Sequence, residues 1–328
     1  MTPLDFRLLN DFQRSFPLVA QPYAVLGEAL GTDESAVIEA FGRLRRAGAV
    51  SRIGAVFRPG ALGASTLAAM EVPTERLEAV AAVVSSFPEV NHNYEREHRL
   101  NLWFVAAAAD DATLDRVLER VTQLTGIAVL KLPLIEEYHI DLGFSLEDGD
   151  VVRAPRTSRC RRVVLGAADR QLVAALEEGL AFEPRPYAGL GARAGLGEQA
   201  VIDRLARWQA EGLIRRFGVV VRHHELGWRA NAMAVWDVPD QVVAGLGRAL
   251  AAAPGVTLAY RRARRRPAWP YNLYCMVHGT ERRQVAARIE ALSHEAGLAA
   301  YPHALLFSRT RFKQNGPRYW GTREAAHG

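Results

Sequence analysis

The sequence contains itself twice, so whatever fold it adopts has to be built twice over. "QPYAVLGEALGTDESAVIEAFGRLRRAGAVSRIG" begins at Gln21, and "RPYAGLGARAGLGEQAVIDRLARWQAEGLIRRFG" begins at Arg185, 164 positions later. Asp5 then matches Asp169, Tyr23 matches Tyr187 and Gly54 matches Gly218. Further on the spacing becomes 166, pairing Val72-Pro73 with Val238-Pro239 and Tyr94 with Tyr260. It then becomes 171, pairing Asn101-Leu102 with Asn272-Leu273. Self-similarity held over such a length means two homologous halves. The five residues gained at the last step lie inside "APGVTLAYRRARRRPAWPYNLYCMVHG", residues 253–279.

Each half reads as two modules. Val37, Phe41 and Leu44 recur at helical spacing after the capping signals Thr32 and Asp33, and Val201, Leu205 and Trp208 repeat the pattern. "AGAVSRIGAVF" and "EGLIRRFGVVV" then read as a glycine-terminated helix entering a two-stranded wing, so the first module is a winged helix-turn-helix. The second module alternates as a strand at 64–72, a helix at 75–86, strands at 89–95 and 100–108, a helix at 111–124 and a strand at 127–140. That βαββαβ order is ferredoxin-like, and it returns with strands near 229–238, 255–262, 270–278 and 299–309. The expected class is α+β, a tandem repeat of winged helix-turn-helix plus ferredoxin-like domain. The boundaries expected are 1–60 and 61–147, an arginine-rich linker at 148–165, then 166–224 and 225–328.

Bulk properties narrow the function without choosing it. A net charge of +5 and a pI near 9.5 favour an anionic partner, either nucleic acid or a small polyanion. No apolar run reaches the roughly 20 residues of a membrane span, and the start "MTPLDFRLLN" lacks a signal pattern. Cys160 and Cys275 are the only cysteines, which excludes a disulfide framework and a cysteine metal site. A cytoplasmic protein with no membrane contact is the expectation. The remaining candidate ligands, His139 and His223-His224 among them, form no spaced set for a protein-bound metal and read as structural or surface residues. "GLGARAGLG" (189–197) superficially suggests a phosphate loop, but it falls in the helix-turn-helix and its counterpart lacks the pattern.

Two stretches are more specific: "VNHNYEREHRLNLWFV" (90–105) and "LAYRRARRRPAWPYNLYCMVHG" (258–279). With "LPLIEEYHIDLGF" (132–144) and "SRTRFKQNGPRYW" (308–320), they resemble the paired strand motifs and chain ends of siroheme decarboxylases, a branch of the Lrp/AsnC architecture. The resemblance covers nearly the whole chain and is to the fused form, in which two homologous subunits have become one polypeptide of heme d1 biosynthesis. It implies non-oxidative removal of two acetate carboxylates from siroheme, giving 12,18-didecarboxysiroheme. It implies no added cofactor, since the iron enters with the substrate, and an intramolecular pseudo-dimer of the two halves, with a homodimer as the alternative.

The residues suit that chemistry. A flat macrocycle fringed with carboxylates needs aromatic walls and cations at its rim, and arginine pairs with a carboxylate bidentately. Expected substrate-binding residues are Arg96, His98, Arg99, Trp103 and Lys131 in the first half. In the second they are Arg261, Arg262, Arg264, Arg265, Trp269, Tyr271, Tyr274, Arg309 and Lys313. Losing carbon dioxide leaves electron density that has to be protonated, so a histidine titrating near neutrality or a tyrosine beside a cation is the expected acid. The catalytic candidates are His92, Tyr94, Tyr260, His278 and His303, with the second half favoured for its denser cations and aromatics. His98, His278 and His303 are candidate axial ligands of the substrate's iron. Core packing is the competing reading for Trp103, Tyr271 and Tyr274, a solvated hairpin tip for Arg261–Arg266, and an inert buried thiol for Cys275. Two other functions stay open: a DNA-binding regulator using Arg43, Arg45, Arg46, Arg204 and Arg207, disfavoured by the asymmetric halves, and a tetrapyrrole sensor without turnover.

Overall fold

The computed structural model describes residues 1–140, 165–222 and 230–319. Most of the linker expected at 148–165, Cys160, His223-His224 and Trp320 lie outside them. The described residues form two compact units, and each unit draws on both copies of the repeat. One takes them from Met1–Leu62 and Arg153–Leu226, the other from Gly63–Val152 and Gly227–Gly328.

The first unit holds α1 (Pro3–Asp11), α2 (Pro22–Leu30), α3 (Glu34–Arg46) and β1 (Val50–Phe57), then α6 (Ala167–Glu177), α7 (Pro186–Ala194), α8 (Glu198–Ala210) and β6 (Ile214–Val221). Asp33 starts α3 by accepting the Ala36 N–H at 2.8 Å, which satisfies a donor the helix leaves over. The turn between α2 and α3 needs Gly27, where a Cβ would sit 2.8 Å from the Thr32 carbonyl oxygen; Gly191 is tighter still, at 2.4 Å from that of Leu196. Within "GLGARAGLG", Gly191 therefore serves helix packing and Gly195 ends its helix at a positive φ. Strands β1 and β6 pair antiparallel with Gly54 opposite Gly218, so repeat-equivalent residues face each other. The two copies are also tied reciprocally: the Tyr23 hydroxyl donates to Ala181 O and that of Tyr187 to Pro17 O, both at 2.7 Å.

The second unit repeats strand, helix, strand, strand, helix, strand. The first copy gives β2 (Ala64–Met70), α4 (Leu77–Ser86), β3 (Val90–Arg96), β4 (Leu102–Ala108), α5 (Asp111–Thr125) and β5 (Leu130–Ile140). The second gives β7 (Ala230–Trp236), α9 (Val243–Ala252), β8 (Val256–Arg262), β9 (Leu273–Gly279), α10 (Arg282–Glu295) and β10 (His303–Gln314). The two sheets do not stay separate. β5 pairs with both β2 and β8, and β10 with both β7 and β3, closing a barrel in the order β10-β3-β4-β2-β5-β8-β9-β7. This is why β10 runs to Gln314 rather than ending near 309: beyond Phe307 it leaves β7 and continues along β3.

Strand alternation sorts the side chains into three cores. On β4, Leu102, Phe104 and Ala106 pack outward beneath the helices of the first copy, while Trp103 points inward. Leu273, Cys275 and Val277 do the same on β9, with Tyr274 and Met276 inward. The interior core joins Leu67, Trp103, Leu132, Met233, Tyr260, Trp269, Tyr274 and Leu306, drawn from both copies. An eight-stranded barrel is just wide enough for such side chains to fill it.

Candidate functional site

Among the described residues the middle of the barrel interior is largely apolar, and one row of polar side chains crosses four strands at its mouth. Arg96, the last residue of β3, lies opposite Ser308 on β10. The Ser308 hydroxyl donates to Asn231 Oδ1 on β7 at 2.5 Å, and Asn231 lies opposite His278 on β9. Four adjacent strands thus carry arginine, serine, asparagine and histidine side by side. The repeat-equivalent strands carry Arg262 opposite Leu134, and Ser65 opposite Ala107. Only one of the two related mouths has the histidine and the amide.

Arg96 is the unusual member. It is 8% exposed, and its guanidinium donates to Leu306 O at 3.1 Å and lies 4.0 Å from Met276 Sδ. Its charge sits 5.9 Å from the centre of the Tyr94 ring. Among the described residues no carboxylate is paired with it. Burial pushes its pKa below the ordinary arginine value, opposed by Tyr260 and Tyr94. Arginine titrates too high to lose its proton on that account, so the cation stays. A buried cation without an anion is costly and fits a site built to receive one.

His278 is neutral. Burial, then the charge of Arg96, lowers its pKa to about 4, and its Nδ1 lies 3.1 Å from Thr257 Oγ1. The near-neutral titration expected from the sequence is not met there, and a neutral imidazole has a nitrogen that can accept a proton. Tyr94 is held protonated by burial, which outweighs Arg96 and Arg311. Its ring stacks on that of His92 at 6.3 Å. Tyr260 stacks on Tyr274 at 5.4 Å, with the Arg262 guanidinium 4.7 Å from its centre; that guanidinium donates to Leu132 O at 2.8 Å. Tyr94, Arg96, Tyr260, Arg262 and His278 are therefore brought to the interior by strands of both halves.

Most other sequence candidates are employed elsewhere. Trp103 donates to Leu100 O and Trp269 to the Tyr274 hydroxyl, each at 2.6 Å, and Tyr271 meets Trp269 edge-on at 4.9 Å. These aromatics pack against one another in the barrel interior. His98 Nδ1 accepts the Leu100 N–H at 3.0 Å where the β3–β4 connection turns. Three arginines of the insertion and its flanks pair with two aspartates. Arg261 and Arg264 pair with Asp240 at 2.7 Å, Arg264 and Arg266 with Asp237 at 3.0 and 2.8 Å, and Arg265 donates to Lys131 O at 2.9 Å. A surface cleft of about 570 Å³ is lined by Asp237, Asp240, Arg264, Arg266 and Tyr301, at the end of β7 away from Asn231. Its cations are already paired, so it is the poorer anion site.

Lys131 pairs with Asp115 at 2.5 Å, Arg309 with Glu97 at 3.1 Å, and Arg99 with Glu71. Lys313 caps α4 through Ser85 O and Phe87 O at 2.7 and 2.8 Å. His303 is exposed at the start of β10, and the structure does not bring it to the row. Asn231, Thr257 and Ser308 were missed. Thr257 and Ser308 lie in quoted stretches, 253–279 and 308–320, but all three become visible as site residues only once the strands are paired. Among the described residues no group of histidine, cysteine and acidic side chains could hold a metal.

Comparison with known proteins bears on the family and the fold. Residues 61–139 and 225–313 match the AsnC-like ligand binding domain, and residues 5–50 and 169–215 match the siroheme decarboxylase NirDL-like HTH domain. The chain is 44% identical over 320 residues to the siroheme decarboxylase NirDL subunit of Paracoccus denitrificans, covering 96% of this chain and 97% of the relative. Over 147 residues it is 52% identical to the NirD subunit of Pseudomonas aeruginosa, covering 45% of this chain and 98% of that one. A crystal structure of siroheme decarboxylase NirDL in co-complex with an iron-uroporphyrin III analogue superposes with a TM-score of 0.69 at 27% identity, over 96% of this chain and 93% of that one. On two matching domain models and near full-length identity to its relatives, the chain belongs to the siroheme decarboxylase NirDL family.

Proposed function

We propose that this chain is a carbon–carbon lyase that removes two acetate carboxylates of siroheme without oxidation, giving 12,18-didecarboxysiroheme. The observation that carries the reading is Arg96: a buried cation with no carboxylate partner among the described residues, beside a neutral histidine at a barrel mouth. A carboxylate of the macrocycle supplies the missing anion. The packed interior leaves no room for a tetrapyrrole, so the ring lies across the mouth, with the row beneath its edge.

In each step the bond between the side-chain carbon and the carboxylate breaks. Its electron pair passes into the conjugated ring, carbon dioxide leaves, and the carbon takes one proton, ultimately from solvent. Arg96 orients the carboxylate, and the dry surroundings disfavour its charge. Tyr94 keeps its proton and donates a hydrogen bond, while His278 passes the proton that the carbon receives. No separate cofactor is required, since the iron comes with the substrate. The unequal mouths favour the one built by Arg96 of the first half and His278 of the second.

The same reading treats the chain as a tandem of winged helix-turn-helix and ferredoxin-like domains acting as an intramolecular pseudo-dimer, in the cytoplasm. The contents of α3 and α8 support a reading without DNA. Their first turns and flanks hold Asp33, Glu34 and Glu198, while Arg43 and Arg204 pair with Asp5 and Asp169 at 3.3 and 3.2 Å. Anaerobic incubation with siroheme followed by mass spectrometry tests the proposal. Two successive losses of carbon dioxide are expected; binding with no mass change would leave a sensor instead.

A further inference from the structure

We propose that Thr257 is a positioning residue that holds His278 as the Nδ1–H tautomer, which leaves the ring's acceptor lone pair on Nε2. Thr257 is 2% exposed, and its Oγ1 lies 3.1 Å from Met276 O and 3.1 Å from His278 Nδ1. A carbonyl oxygen can only accept, so the single hydroxyl hydrogen is committed to Met276. Toward the imidazole, Oγ1 can then only accept. A neutral imidazole has one N–H, and Thr257 draws it to Nδ1. The nitrogen that remains basic is Nε2, on the far side of the ring from its anchor.

The backbone explains why a threonine from β8 reaches a histidine on β9. The β8–β9 register shifts between Val256 and Leu258, so residue 257 sits in a bulge that re-aims its side chain. The other half does the same. The β3–β4 register shifts between Val90 and His92, placing Asn91 in the equivalent bulge, 166 residues before Thr257. Asn91 Oδ1 lies 2.8 Å from His92 Nδ1, and an amide oxygen likewise only accepts. Each half thus spends a bulged residue on fixing a histidine in the same tautomer, although the two residue types differ.

The role assigned to Nε2, taking a proton or binding the iron carried by the substrate, rests on the proposed function; the tautomer does not. The test therefore begins on the protein without substrate. Long-range proton–nitrogen correlation spectra of the full chain, with His278 assigned by its loss in His278→Gln, should show Nδ1 protonated. Thr257→Ser should keep that pattern and Thr257→Val should abolish it. An Nε2–H pattern in the wild type, or an unchanged pattern in Thr257→Val, would overturn the inference. In the siroheme assay, Thr257→Val should lose about tenfold or more in kcat with a smaller change in KM, while Thr257→Ser retains most of the activity. Equal kcat in three proteins that all decarboxylate siroheme would also overturn it. A wild type with the predicted tautomer but no decarboxylation would strike the proposed function alone.

Discussion

Replacing Arg96 with Met separates what the residue does for the fold from what it does for the ligand. The variant loses a hydrogen bond to Leu306 O, a loss of about 1 kcal/mol. It also removes a buried cation whose desolvation costs several kcal/mol and which no described carboxylate offsets. Methionine is long and unbranched enough to occupy the same space against Met276 and Leu306. The sum predicts a second unit as stable as the wild type or more so, by up to about 2 kcal/mol. Affinity should move the other way. Losing the charge that receives the carboxylate costs about 3 kcal/mol, roughly a hundredfold weaker binding. Urea unfolding followed by circular dichroism gives the first number, and absorbance titration with siroheme under anaerobic conditions gives the second. An Arg96→Met protein destabilised by more than about 2 kcal/mol that still bound siroheme with unchanged affinity would refute the reasoning, because the charge would then serve the fold and not the ligand.

Other outcomes follow from the same geometry. His278 is held neutral, with a folded-state pKa of about 4 against 6.5 unfolded, so the unfolded chain takes up the proton first as pH falls. Stability should drop by about 2 kcal/mol between pH 8 and pH 5, a slope that His278→Gln removes; identical slopes in urea melts would contradict this. Asn272 clamps Val238 by accepting its N–H at 3.0 Å and donating to its carbonyl at 2.9 Å. Asn272→Ala should therefore cost about 2–4 kcal/mol, read as a lowered urea midpoint. Arg266, an exposed partner of Asp237, should tolerate alanine with under about 0.5 kcal/mol lost and activity within twofold. A large loss of siroheme turnover would return the arginine insertion to substrate binding.

The repeat and its helix and strand periods were legible because they depend on near neighbours. The capped α3 and its partner α8, and the strand–helix order of the second unit, could be read from spacing alone. Barrel closure could not, because it depends on β5 and β10 each reaching across to the other copy, and a pairing between distant strands leaves no local period. The candidate site divides along the same line. Tyr94 with Arg96, and Tyr260 with Arg262, were visible as i, i+2 pairs. Ser308, Asn231 and Thr257 belong to the site only through cross-strand register and a bulge. The partners of the arginine cluster were illegible for a related reason. Asp237 and Asp240, which pair with Arg261, Arg264 and Arg266, stand more than 20 residues before them in sequence and meet them only in the fold. The repeated Asn-Leu motif marks a clamp in both copies, Asn101 on Val72 and Asn272 on Val238.

The central claim is that a carboxylate leaves as carbon dioxide and a proton from solvent takes its place. Anaerobic turnover of siroheme in deuterium oxide, with the product examined by mass spectrometry and NMR, tests it most directly. The account predicts two losses of carbon dioxide and one deuterium in each new methyl group, with both events suppressed together in Arg96→Met. Siroheme recovered unchanged from the wild type, or decarboxylated product whose new methyl groups carry no solvent deuterium, would contradict it.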